Sequence, residues 1–397
     1  MMLAFLLIAH GLSGYGQQDS LTLDSALALA RAHRGQVAVA AAMVAAARAD
    51  RRAILALPNP TASYTYTGDA PRRHATIDQP LDWLLRRGSD GAAGRGGIGV
   101  ALADSTRLLA EVAREARSAF YAALGTSRRL ALAEDEAALA DSLAGIAARR
   151  RAAGEISELE QAQAALEAAR ARQLVSASRE DHQLAVAELG RALGVPPETL
   201  APPGGALDGE LSAPVPAAPL VDALPMVMAA RADSTMARGL YHAAQWSRVP
   251  LPSVQAGVEW SDPANPTVGS TILLGLSLPL PLWQSGGAPA AAARARADRA
   301  AAQLREVRAD AARLLAQAAA RVQETARRAV VARDSILPLA TRQRDLALVA
   351  YTAGETGIVP VLDALRAERE VVRDLVNDLV AYQVARADWL ALIGSSE

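Results

Sequence analysis

The triplet Ala-Gly-Glu occurs twice in this chain, at 153–155 and at 353–355, 200 residues apart. Trp83 and Trp283 share that separation, and each is followed by a glycine-containing turn ("WLLRRGSDGAAG", "WQSGGAP"). Upstream, "LPNPTASYTYTGDAP" (57–71) matches "VPLPSVQAGVEWSDPANP" (249–266): a Pro-x-Pro start, an alternating stretch, then an Asp/Pro turn. One such match is cheap, but four in the same order describe an internal duplication. That constrains the fold more than any single motif, because both halves must build the same succession of elements.

Each half reads as helix, strand, turn, strand, Trp, long helix, Gly turn, helix. The first repeat is taken as 17–192 and the second as 220–397, joined by the Pro/Gly-rich linker 193–219. Three strands alternate clearly. Ala62, Tyr64 and Tyr66 interleave with Ser63, Thr65 and Thr67, and Val254, Ala256, Val258 and Trp260 interleave with Ser253, Gln255, Gly257 and Glu259. Ile272, Leu274 and Leu276 alternate with Thr271, Gly275 and Ser277, although Leu273 interrupts the pattern. The fourth strand, in "HATIDQPLDW", is placed by symmetry alone. From about Ala288 to Ala350 nearly every residue is a good helix former. Some 60 residues at 1.5 Å each make a rod of roughly 90 Å. Pro338 should kink or break it. Leu365, Val372, Leu375, Leu379 and Tyr382 fall at coiled-coil spacings in the last helix.

Half of the residues are hydrophobic, but alanine dominates them and only 2 are Phe, which favours close helix packing over a thick globular core. The absence of cysteine excludes disulfides, thiolate chemistry, Cys-ligated zinc and N-terminal Cys lipidation. All 41 basic side chains are Arg, which is read as base composition. A net charge of −1 argues against a nucleic-acid partner. Residues 1–16 have the apolar stretch of a signal peptide and a small-x-small site at Gly14–Gly16, without the usual basic start. No other charge-free apolar run of spanning length exists, so export without a membrane helix is expected.

Four strands cannot satisfy their own edges. If the face carrying Val254, Val258 and Leu276 meets lipid, the sheet must close into a barrel. One chain would need at least eight strands for that, whereas three chains of four give twelve. Trp83, Trp246, Trp260 and Trp283 sit at or beside strand ends, where interfacial aromatic girdles lie. The expected class is mostly α with a small β part. A long helical coiled-coil barrel would join a trimeric 12-stranded outer-membrane β-barrel to which each chain gives four strands.

From Leu21 to Gly394 the chain resembles the TolC family of outer membrane efflux channels. "GLSLPLPLWQSGG", "PNPTASYTYTGD" and "YTAGETGIVPVLDALRAE" are similar to its heavy-metal (CzcC- and CusC-like) branch. The resemblance implies a homotrimer and a passive exit duct of a tripartite pump. It also implies a periplasmic adaptor and an inner-membrane transporter as partners, outer membrane lipid around the barrel, and heavy-metal cations as cargo. It implies docking of the adaptor at the tips around Gly154, Glu155, Gly354 and Glu355. The residues alone give only Gly reversals between antiparallel helices. It further implies a periplasmic gate at Tyr351 and Asp363, to which Glu355 at the tip is added as a carboxylate that a trimer would repeat three times around its axis. Two positions depart from the family's gate: Thr356 replaces an Arg and Pro360 an Asp.

Other signals point to ordinary structure. Gly94-Arg95-Gly96-Gly97-Ile98-Gly99 fits G-x-G-x-x-G but lacks the βαβ context of a dinucleotide site, and reads as a flexible loop before a helix starting near Leu102. His10, His33, His74, His182 and His242 are scattered, and Met226, Met228 and Met236 fit helix packing, so no metal or cofactor is expected. Glu158, Glu160 and Glu167, interleaved with Arg, read as a solvated face. No catalytic constellation is present, and the chain is not read as an enzyme. The competing expectations are a periplasmic coiled-coil scaffold or adaptor, and a secretion channel for polypeptides or drugs in the same fold.

Overall fold

The computed structural model describes residues 20–68, 72–209, 211, 221–260, 269–280 and 286–396. The expected signal peptide at 1–16 and Trp283 lie outside the described residues. Two compact units cut across the sequence repeats: one is built from 1–38, 108–218 and 314–397, the other from 39–107 and 219–313.

The first unit is helical. Helix α1 (Leu23–His33) starts at Thr22, whose hydroxyl accepts from the Ser25 N–H, with Asp24 in its first turn and Arg31 and His33 in its last. Ser20 is followed by Leu21, whose backbone is clasped by the linker: Leu21 N–H donates to Pro202 C=O at 2.8 Å and Gly204 N–H to Leu21 C=O at 2.9 Å. The unit also contains the C-terminal part of α3 (Asp82–Ala152), α4 (Glu158–Leu193), α7 (Leu337–Thr352) and α8 (Ile358–Leu392). Its core is alanine-rich, with Phe120, Leu124, Leu189, Leu193 and Trp389 among the few large side chains. On α8 the expected seam is present: Leu375, Leu379 and Tyr382 are buried, and Leu365 and Val372 half-buried.

Pro338 marks a break rather than a simple kink. Helix α6 (Gly287–Val331) gives way to a π-helical turn at Ala332–Ile336, and α7 begins with Pro338 in its first turn. Proline offers no N–H to the preceding turn and its ring crowds the carbonyl four residues back, so the ladder widens there.

The second unit contains α2 from Val39 onward (Gly35–Ile54 in full), the start of α3, α5 (Pro225–Gln245), and all four strands. These are β1 (Thr61–Tyr66), β2 (Arg73–Pro80), β3 (Ser253–Trp260) and β4 (Ser270–Ser277), antiparallel in the order β1-β2-β3-β4. The outer edges of β1 and β4 have no partner among the described residues.

One expectation fails here. Helix α3 starts at Asp82, not near Leu102, and the glycine run lies inside it. Each helical Gly costs roughly 1 kcal/mol against Ala. Close packing on α5 offsets that cost. A Cβ on Gly96 would lie 2.5 Å from the Met236 N, and one on Gly99 2.8 Å from the Ala232 Cβ. On α5 itself, a Cβ on Gly239 would meet the Ala93 N at 2.5 Å. The glycines let two helix backbones touch, and their N–H groups belong to the helix rather than to a phosphate cradle or a flexible loop.

Candidate functional site

Register and exposure sort the sheet into two faces. One carries the rows Tyr64–Ala75–Val258–Ile272 and Ala62–Ile77–Ala256–Leu274, with Val254 opposite Leu276 beyond them. Ile272, Leu274 and Leu276 are 76–78% exposed, too apolar a surface for water. The other face is polar and internally paired. Ser63 and Thr76 share a hydrogen bond at 2.7 Å, Ser253 donates to Asp78 at 2.8 Å, and His74 Nδ1 meets Glu259 Oε1 at 3.0 Å. Apolar and polar faces on one sheet match a wall with lipid outside and water inside.

Trp83 lies in the first turn of α3 with Arg87 over its ring at 5.8 Å, and Trp246 caps α5; both belong to the end of the sheet that joins the helices. Trp260 ends β3 at the opposite end and packs on Tyr64 with ring centroids 6.1 Å apart.

The two Gly turns share one backbone design. Gly154 and Gly354 both have φ +78°, in the left-handed region that favours glycine. At the first, Gly154 N–H donates to Arg151 C=O at 3.0 Å and Glu155 N–H to Arg150 C=O at 2.9 Å. At the second, Gly354 N–H donates to Tyr351 C=O at 3.1 Å and Glu355 N–H to Ala350 C=O at 2.9 Å. Both are Schellman closures of a helix C-terminus. Glu155 pairs with Arg150 at 3.5 Å, while Glu355 is exposed. Ser157 then starts α4 with a capping box to Glu160. Glu160 Oε1 lies 3.3 Å from where a Gly357 Cβ would sit, so the tips are neighbours. They share a small core of Leu143, Ala147, Ala164, Tyr351, Ile358 and Val361. Tyr351 is buried there, its ring stacked at 4.9 Å under the Arg150 guanidinium.

Behind the tips lies an ion network that sequence reading misassigned. Glu167 is 4% exposed, not part of a solvated face. It accepts from Arg366 at 2.7 Å and from Arg369 at 3.4 Å, both on α8. Arg369 also meets Glu136 of α3 at 2.8 Å, and Arg366 meets the exposed Asp363 at 3.2 Å. Burial alone would raise the Glu167 pKa, but the two guanidiniums outweigh it and hold the carboxyl below its usual range. Burial dominates at Glu136 and pushes its carboxyl up, with Arg369 offsetting only part. The only sequence signal for this network was the recurrence of acids on α4 and Arg on α8. Nothing in the sequence says that those faces meet.

Residues 223–395 match the family described as Outer membrane efflux protein. Over 357 residues the chain is 25% identical to the cobalt-zinc-cadmium resistance protein CzcC of Cupriavidus metallidurans, covering 87% of this chain and 83% of that one. The fold superposes on crystal structures of CusC with a TM-score of 0.78 at 17% identity, over 94% of this chain and 92% of that chain. The second half of the chain is thus similar to outer membrane efflux proteins. The outer membrane channel MtrE of Neisseria gonorrhoeae, in its open state, has the same fold (TM-score 0.77, 16% identity, 94% and 89% covered). The outer membrane protein VceC of Vibrio cholerae shares it too (TM-score 0.76, 17% identity, 94% and 96% covered).

The strand ends at Pro80 and Ser253 lead into helices, and Tyr66, Arg73, Trp260 and Ser270 lie at the opposite end of the sheet. Among the described residues no helix is long and apolar enough to cross a membrane.

Proposed function

We propose that this efflux protein is the exit duct of a tripartite pump for heavy-metal cations, working as a homotrimer. The observation that carries this reading is the four-stranded sheet with two open edges and one apolar face. In a bilayer each unpaired backbone group costs several kcal/mol, so the edges of β1 and β4 must be filled by neighbouring copies. Three copies give twelve strands. The relative named for cobalt, zinc and cadmium resistance supports cations as cargo. An inner-membrane transporter delivers them through a periplasmic adaptor, and the paired tips at Gly154–Glu155 and Gly354–Glu355 are the docking surface for that adaptor.

The gate lies just behind those tips. Glu355 and Asp363 are exposed and recur three times around the trimer axis, where carboxylate rings favour cations by their summed field. Tyr351 holds a different position, buried against Arg150, and acts by fixing α7 beside α3. The halves 17–192 and 220–397 are read as duplicated units, and the tryptophans at the strand ends as interfacial anchors.

Deleting the gene and exposing cells to cobalt, zinc and cadmium beside hydrophobic drugs tests the cargo. Sensitivity to the metals is expected; sensitivity to drugs alone would remove the metal assignment and leave the channel. Cross-linking in detergent should stop at three copies, and a well-behaved soluble monomer would remove the architecture.

A further inference from the structure

The apolar face of the sheet contains one charged side chain among the described residues. Tyr66, Arg73, Trp260 and Ser270 form the outermost row of the register, and the twofold alternation of β2 puts Arg73 on the same face as Ala75 and Ile77. Arg73 is exposed, and no described carboxylate shares its face. Asp78 and Glu259 lie on the other face, held by Ser253 and His74. Arg73 stands four residues, roughly 13 Å, outward from the Ile77–Ala256–Leu274 row. With barrel strands tilted by about 40° that is roughly 10 Å along the normal, close to the outer rim of an apolar band about 25 Å tall when the helix-joined end is taken as periplasmic. A cation at that height, bordered by lipid and with no carboxylate on its face among the described residues, suits an anion from the membrane.

Two further features continue inward from Arg73. The tilted Tyr64–Trp260 pair offers an amphipathic aromatic surface of the kind that settles at headgroup level. Below it a groove of about 700 Å³ runs over the small residues Ala62, Ala75 and Ala256, walled by Tyr64, Ile77 and Ile272. It is a lipid-facing groove with an apolar floor, placed under a cation. That order matches a molecule with an anionic head and hydrocarbon tails.

We propose, resting on the outer-membrane channel reading above, that this face binds a phosphorylated, multiply acylated glycolipid of the outer leaflet. A headgroup phosphate meets Arg73, the sugar lies against Trp260, and an acyl chain fills the groove over Ala256. The trimer carries three such sites. Guanidinium–phosphate contacts are charge-assisted and geometrically specific, which suits Arg at this position.

The test uses the detergent-purified trimer reconstituted in phosphatidylcholine nanodiscs. The discs are doped with diphosphorylated lipid A, dephosphorylated lipid A or phosphatidylglycerol. Native mass spectrometry counts bound lipid, and heat dissociation of the trimer reports its effect. Diphosphorylated lipid A is expected to bind and raise the dissociation temperature. Arg73→Gln should bind it about tenfold more weakly, as loss of one charge-assisted contact implies. Ala256→Leu, which fills the groove and leaves the charge, should also weaken binding. Equal binding by wild type and both variants overturns the site. Equal binding of phosphatidylglycerol overturns the glycolipid and leaves a general anionic-lipid contact. Trimer mass and single-channel conductance of the same preparations report separately on the channel reading, so either failure is recognisable.

Discussion

Arg366 on the last helix donates to Glu167 on α4 at 2.7 Å, across 199 residues of sequence. Glu167 is 4% exposed while Arg366 is exposed, so this contact joins the two repeats through an ion pair that is dry on the carboxylate side only. Losing Arg366 would weaken the cover of a buried carboxylate, whereas losing Glu167 leaves an exposed guanidinium, so the pair is costlier to break from the α8 side.

The pair gives the protein an acid-sensitive limb. Glu167 has its folded-state pKa held below the ordinary 4.5, so its stabilisation is complete above 4.5 and disappears as pH falls through the depressed value. Glu136 has the opposite sign: its raised pKa makes ionisation cost stability as pH rises through it. Glu167→Gln should lose about 1–3 kcal/mol at neutral pH. It should also lose less further stability than wild type between neutral pH and a pH well below 4.5. Urea titrations at both pH values check this; parallel losses in the two proteins would assign the limb to other carboxylates.

The sheet should tolerate charge on one face only. Val258 lies in the Tyr64–Ala75–Ile272 row, whereas Gln255 lies opposite Asp78 on the polar face. Val258→Arg should cost about 2–4 kcal/mol and block trimer assembly, while Gln255→Arg should assemble. Gel mobility of unheated samples separates the outcomes, and equal tolerance would mean that the faces are reversed.

Adjacent glycines in α3 should respond with opposite signs. A Cβ on Gly96 would press the Met236 backbone at 2.5 Å, whereas on Gly97 the nearest atom is Met236 Sδ at 3.7 Å. Gly96→Ala should therefore destabilise by about 1–3 kcal/mol through overpacking. Gly97→Ala should stabilise by up to about 1 kcal/mol through helix propensity. Thermal melts that moved the same way for both would mean that α3 and α5 do not touch here.

The proposed gate makes Asp363 a conductance residue. Its carboxylate is 62% exposed and meets Arg366 at 3.2 Å. Asp363→Asn should lower the cation-over-anion permeability ratio and abolish block by trivalent cations applied from the periplasmic side. Single-channel recording that showed neither change would make Asp363 a surface partner of Arg366 alone.

The strands at 61–66, 253–260 and 270–277 were legible because apolar and small or polar side chains alternate there. The strand at 73–80 was legible only through the symmetry of the repeats, since Arg73, His74 and Asp78 break the apolar alternation, and its partners on both sides hold it in place. Both hairpin turns were legible because Gly154 and Gly354 stand where only a left-handed residue closes the helix cheaply. The start of α3 was misread because glycine was scored by its helix propensity, and the neighbour that makes its small size useful sits more than a hundred residues away, at Met236. Glu167 was misread for a similar reason. A helix face rich in Glu and Arg looks solvated until another helix, here α8, covers it. Pro338 was read correctly as an interruption, but local sequence does not say whether a helix kinks or widens.

The open edges of β1 and β4 also bear on how the chain reaches its membrane. A newly exported copy carries two ladders of unpaired N–H and C=O groups beside Ile272, Leu274 and Leu276. In water that combination templates pairing with any exposed strand, including those of unrelated proteins in transit. Copies must therefore meet one another, or be shielded, faster than they meet anything else. Biogenesis becomes a race whose rate depends on how many subunits are delivered together. If the proposed trimer holds, the share of subunits left with open edges should rise as expression falls.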